Sequence, residues 1–139
     1  MTILDMICAK YGNEMIGTES KNVDENLITK ALGVLQEDGL YAFALYTKSK
    51  SGDSNAEKKT AKVVHNKALA LLKDEAIDLL TVNCTDDFLV CIRNNLSSNL
   101  DALLFAKELL ERTLVYARYH AKALGKTEKE GEAQMEGGS

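Results

Sequence analysis

Proline and tryptophan are absent from the chain, and aromatic residues make up only 6% of it. Without proline, the residue that ends helices by its sterics is missing. With Ala, Leu, Lys and Glu abundant, intrinsic propensity favours helix along most of the length. No apolar run is long enough to span a bilayer, and the start at Met1 lacks a signal peptide's basic segment, apolar core and cleavage site. The expected compartment is the cytoplasm. The three cysteines, Cys8, Cys84 and Cys91, match no CxxC spacing and read as buried thiols in a reducing compartment. The two histidines, His65 and His120, have no second His or Cys at ligand spacing, so no metal site is expected. There is no GKS or GKT phosphate loop and no GxSxG turn. The expectation is a protein that binds rather than catalyses, with no cofactor.

What is present is helical periodicity. Ile3, Ile7, Tyr11 and Met15 recur at four-residue steps as the apolar face of a helix over 3–16. Asn22 with Glu25 has capping-box spacing and opens a second helix whose stripe is Leu27, Ala31, Val34 and Leu35. Asp38-Gly39 ends it, and Leu40, Phe43 and Ala44 carry a short third helix. Residues 48–55 hold nothing apolar and read as a loop. Ser54 and Glu57 then start a fourth helix to about Lys73, with Ile77, Leu79 and Leu80 continuing it or forming a short sequel. Thr85 is placed as the cap of a helix buried through Phe88, Leu89, Ile92 and Leu96. Ser97 or Ser98 is placed as the cap of a long closing helix that stops at Gly125. The fold expected is all-α: one compact bundle of about six helices over 1–125 with a long C-terminal helix. Residues 126–139 are expected as a disordered charged tail, closing on Gly-Gly-Ser with the composition of an appended linker.

The net charge of −4 hides a local asymmetry. Residues 1–46 hold three Lys against seven Asp and Glu, a balance of −4, whereas 48–67 hold six Lys against two acids, a balance of +4. Lys48, Lys50, Lys58, Lys59, Lys62 and Lys67 form a cluster that can meet phosphates, or simply a solvated helix face and loop. The last helix adds Arg112, Arg118 and Lys122 with Tyr116 and Tyr119 between them, a mixture suited to phosphate pairing and base stacking. Glu108 and Glu111 there also suit ordinary intrahelical ion pairs. These nine cations are the candidate nucleic-acid contacts. Asp86 and Asp87 are adjacent, about 100° apart on a helix, which suits capping better than shared acid–base work.

Three segments carry a family resemblance: AKYGNEMI (Ala9 to Ile16), EDGLYAFALYTKSK (Glu37 to Lys50) and NLDALLFAKELLERTLVYARYHAKAL (Asn99 to Leu124). Their order resembles the Cmr small subunit of type III-B CRISPR effector complexes, with Gly39-Leu40, Ala42, Phe43 and Ser49-Lys50 closest to a motif. The chain departs from that family in Asp38, where Asn is common, and in lacking a proline in the preceding helix. The resemblance implies a non-catalytic helical subunit of an RNA-guided, RNA-targeting antiviral complex, stacked in its minor filament beside the guide–target duplex. Its implied partners are the repeated backbone subunits, the large subunit, copies of itself, and guide and target RNA. From a different class, a stand-alone helical adaptor binding a protein through an apolar groove is the alternative.

Overall fold

A computed structural model describes residues 2–17, 23–80, 87–96 and 99–125, and the helical backbone over 126–137. It contains α1 (Ile3–Ile16), α2 (Glu25–Asp38), α3 (Leu40–Lys50), α4 (Ala56–Lys73), α5 (Phe88–Asn95) and α6 (Leu100–Gly137). Among the described residues there is no strand, and no helix is long and apolar enough to cross a membrane.

The helix starts follow from side-chain oxygens accepting otherwise unpaired amides. Thr2 and Asp5 form a reciprocal capping box on α1. Asp24 caps α2, Asn55 caps α4 and Asp87 caps α5. Asn99 accepts the Ala102 amide at the head of α6. The expected cap Ser54 therefore gives way to Asn55, one residue nearer the helix. The other expected caps, Asn22, Thr85, Ser97 and Ser98, lie outside the described residues. Gly39 ends α2 and begins α3 at once, with φ of 94°, a backbone conformation open to glycine but strained for other residues.

Four further expectations are revised. Lys48, Ser49 and Lys50 belong to α3 rather than to the loop, since basic side chains suit the negative end of a helix. Ile77, Leu79 and Leu80 follow α4 in a turn: the Leu79 and Leu80 amides both donate to the Leu72 carbonyl, and Asp78 takes φ of 58°. α6 does not stop at Gly125 but runs to Gly137 across a stretch expected as tail. One internal glycine costs only about 1 kcal/mol against alanine, and the Lys, Glu, Ala and Gln that follow are good helix formers. Cys8 is a buried free thiol as expected, but Cys91 is disulfide-bonded rather than a thiol. Seven-residue phasing places a cysteine in the core without deciding its oxidation state. Cys84 lies outside the described residues.

α1 and α2 each pack on both α4 and α6, and α4 and α6 are not extensive neighbours. Lys107 reaches the Gln36 carbonyl and Lys122 pairs with Glu25, so α2 and α6 run antiparallel. The Cys8 thiol donates to the Leu109 carbonyl, while Gly12 sits against Thr113 and Ala117, so α1 and α6 run in the same sense. Core side chains come from every helix, with Phe43, Phe88, Leu35, Leu72 and Leu110 among the fully buried.

The Tyr11 hydroxyl donates to the Asp74 carboxylate at 2.7 Å, tying α1 to the end of α4. That hydrogen bond, followed by the Ala76 amide, holds the Asp74 pKa below the usual carboxylate value. Burial, then the same bond, pushes the Tyr11 pKa up to about 12. Asp74 therefore contributes stability that is lost as pH falls through its lowered pKa. Tyr11 contributes stability that is complete below its ordinary pKa of 10 and lost as pH rises toward about 12. Tyr11→Phe is expected to cost about 1–2 kcal/mol near neutrality, with the gap to wild type closing in acid. Urea unfolding at several pH values checks this, and a gap that persists in acid would exclude the Tyr11–Asp74 bond as its cause.

Candidate nucleic-acid interface

α3 and α4 form an antiparallel pair closed by residues 51–55, because Thr47 meets His65 and Lys50 meets Glu57 across it. This hairpin gathers most of the lysine cluster. Lys48 and Lys50 occupy the last turn of α3, and Lys58, Lys59 and Lys62 the first turns of α4, all exposed. Lys67 lies further along α4 and is half-buried. Lys62 pairs with Asp53 at 3.1 Å and Lys50 with Glu57 at 3.9 Å. Exposed pairs of this kind contribute roughly 0–1 kcal/mol and exchange readily for another anion. Lys48, Lys58, Lys59 and Lys67 make no ion pair with a described residue. The stem of Lys58 covers Gly52, leaving its ammonium at the surface.

The cations of α6 are disposed differently. Arg112 lies 2.6 Å from Asp5 and 3.7 Å from Glu108, and Lys122 lies 3.8 Å from Glu25. Both hold α6 to its neighbours. The Asp5 carboxyl is kept below the usual range first by the Thr2 hydroxyl and then by Arg112. Arg118 lies over the Tyr119 ring, with a buried Nε that no described residue accepts. Since α6 and α4 lie on different sides of α1 and α2, the structure does not bring Arg112, Arg118 and Lys122 together with the lysines of α3 and α4.

Behind the lysine edge sits His65. Its Nδ1 lies 2.8 Å from the Thr47 hydroxyl oxygen. The Thr47 hydroxyl also reaches the Phe43 and Ala44 carbonyls at 3.1 and 3.2 Å, so it anchors the Nδ1 side of the ring and leaves Nε2 on the opposite side. The ring meets Phe88 edge-on at 5.3 Å. Burial, then the nearby Lys48 ammonium, lowers the His65 pKa below its ordinary value. A lone histidine eighteen residues from its threonine partner gives no local sequence signal of this arrangement. Among the described residues no group of three or more His, Cys, Asp and Glu side chains is placed to hold a metal.

At the other end of α3, an apolar groove is lined by Gly39, Leu40, Tyr41, Ile92 and Leu103, with Arg93 and Asp38 at its rim. Leu100 and Leu104 stand exposed on the same end of α6, at 67% and 53%. Comparison with protein-family models, with curated proteins and with solved structures returns no match.

Proposed function

We propose that this chain is a non-catalytic small subunit of a type III-B CRISPR RNA-targeting effector complex, working in the cytoplasm. It stacks in the minor filament, touching backbone subunits, the large subunit and copies of itself. The lysine edge at the α3–α4 hairpin faces the guide–target RNA. The observation that carries this is the division of α3: unpaired lysines gather around its C-terminal end, and an apolar groove lies at its N-terminal end. Head-to-tail stacking beside a nucleic acid needs two unlike surfaces on one protomer, and polyanion binding needs cations not already consumed within the fold.

Lys58→Glu with Lys59→Glu is expected to weaken RNA binding by the full chain, alone or with its co-purified partners, by about tenfold or more. The slope of affinity against salt should fall by about two, one for each lost phosphate contact. Unchanged affinity and slope would remove the lysine edge from the interface. The subunit assignment is tested by isolating the tagged chain from its native host and identifying what accompanies it. CRISPR effector subunits and RNA are expected. Recovery of the chain alone supports the second reading, a helical adaptor, which the groove at Gly39, Tyr41 and Leu103 favours.

A further inference from the structure

We propose that the cleft between the last turn of α3, residues 51–52, α4 and the start of α5 is a phosphate-binding site. In it Lys48, Lys62 and the Nε2 of His65 hold one phosphate, supplied by an RNA strand or by a free phosphomonoester. Lys48, Ser51, Gly52, Lys62, His65, Asn66, Asp87 and Phe88 all line this concave surface. The two lysines supply charge from opposite helices. His65 supplies direction, because Thr47 at Nδ1 and the edge of Phe88 fix the orientation of its ring. The Asn66 side chain is exposed at the rim, with amide hydrogens to donate.

One acid, Asp87, lines the cleft and a second, Asp53, pairs with Lys62 beside it; neither closes it to an anion. Asp87 directs its Oδ1 at the Leu89 and Val90 amides, so its charge is stabilised by the α5 terminus. Asp53 pairs with Lys62, its one partner among the described residues, in an exposed pair that an incoming phosphate can replace. The charges acting on His65 are Lys48 from α3 and Asp87 from the start of α5, while Lys62 of its own helix lines the same cleft and is paired with Asp53. With the cleft empty, burial and Lys48 keep the ring neutral. A bound phosphate offsets the lysines and favours the charged ring, so binding is coupled to proton uptake by His65. Affinity must therefore rise as pH falls through the ordinary histidine range.

This inference rests on the lysine edge only where the phosphate belongs to RNA, and the two can fail separately. Affinity of the full chain is measured from about pH 8 to about pH 5.5 with a short fluorescent oligouridylate, and with AMP and inorganic phosphate as competitors. Wild type is expected to bind about tenfold more tightly at the acid end. His65→Asn should flatten that profile at an unchanged melting temperature, and Lys48→Ala, which leaves the core intact, should weaken binding several-fold. In wild type, the His65 ring resonance should titrate at higher pH once ligand is bound, a readout that requires no variant. Competition by AMP or phosphate at about pH 8, where both are dianions, identifies a free-anion site, and binding of the oligonucleotide alone identifies a backbone contact; each supports the cleft. An unshifted His65 titration, or a pH gain that persists in His65→Asn, overturns it. If Lys58→Glu with Lys59→Glu weakens RNA binding while His65→Asn keeps the full pH gain, the edge stands and the cleft falls. The converse pattern keeps the cleft and removes the edge.

Discussion

Gly12→Val is expected to cost about 3 kcal/mol or more and to leave little folded protein at physiological temperature. A Cβ at this position would lie 2.8 Å from the Thr113 carbonyl oxygen, 2.9 Å from Tyr116 Cβ and 3.0 Å from the Ala117 nitrogen. Two of these are backbone atoms of α6, which no rotamer change can move. Two effects oppose each other in Gly12→Ala. Helix propensity favours alanine by about 1 kcal/mol, whereas overpacking between two helices costs about 1–3 kcal/mol. Because the shortest contact falls on the Thr113 carbonyl and the next on a Cβ fixed to the α6 backbone, overpacking wins and the variant is destabilised. Gly33 in α2 is the control: an added Cβ there meets nothing within 4 Å, so Gly33→Ala should gain up to about 1 kcal/mol. Urea unfolding followed by helical circular dichroism reads all three. A Gly12→Ala variant as stable as Gly33→Ala would mean that α1 and α6 do not approach this closely.

Phe43→Ala carries the second large effect, a loss of about 3–5 kcal/mol. Phe43 is fully buried in the middle of α3 beside Leu40 and Ala44, at 0% exposure. Truncation removes the transfer energy of the ring and opens a cavity that α2, α4 and α5 are too constrained to fill. Leu45, two residues on, is 46% exposed, and Leu45→Ala should change stability by less than about 0.5 kcal/mol. Equal losses at the two positions, measured by thermal or urea unfolding, would show that α3 is rotated from the orientation described. These positions also fall within the segment that carries the family resemblance. Gly39 supplies the junction, and Leu40 and Phe43 fill the core, so the resemblance rests largely on packing.

The helices were legible because their signal is local. Ile3 to Ile16, the break at Asp38-Gly39, the end near Lys73 and the run from Leu100 each follow from apolar phase and a terminating residue. Caps were less legible, since Ser54 and Asn55 compete for the same amide and only backbone geometry decides between them. The Thr2–Asp5 box was present in the sequence as a spacing and was missed because Asp, not Glu, closes it. The lysine edge was legible as composition, but its division into paired and unpaired members was not. Lys62 with Asp53 and Arg112 with Asp5 are set by which elements turn towards each other. Gly12 shows the limit most clearly. A glycine inside an amphipathic helix reads as a mild defect until α6 is placed against it.

The α2–α3 junction is a single residue, Gly39, so α3 enters the bundle with no slack behind it. Its eleven residues span about 16 Å at the helical rise. The helix is pinned along that length by Leu40, Phe43, Ala44 and Thr47. On the proposed reading it would act as a fixed gauge between a partner in the groove at Tyr41 and an anion at Lys48. A partner seated at one end would set the distance at which the other end meets a phosphate, and repeated copies would reproduce that distance at a regular interval along a strand.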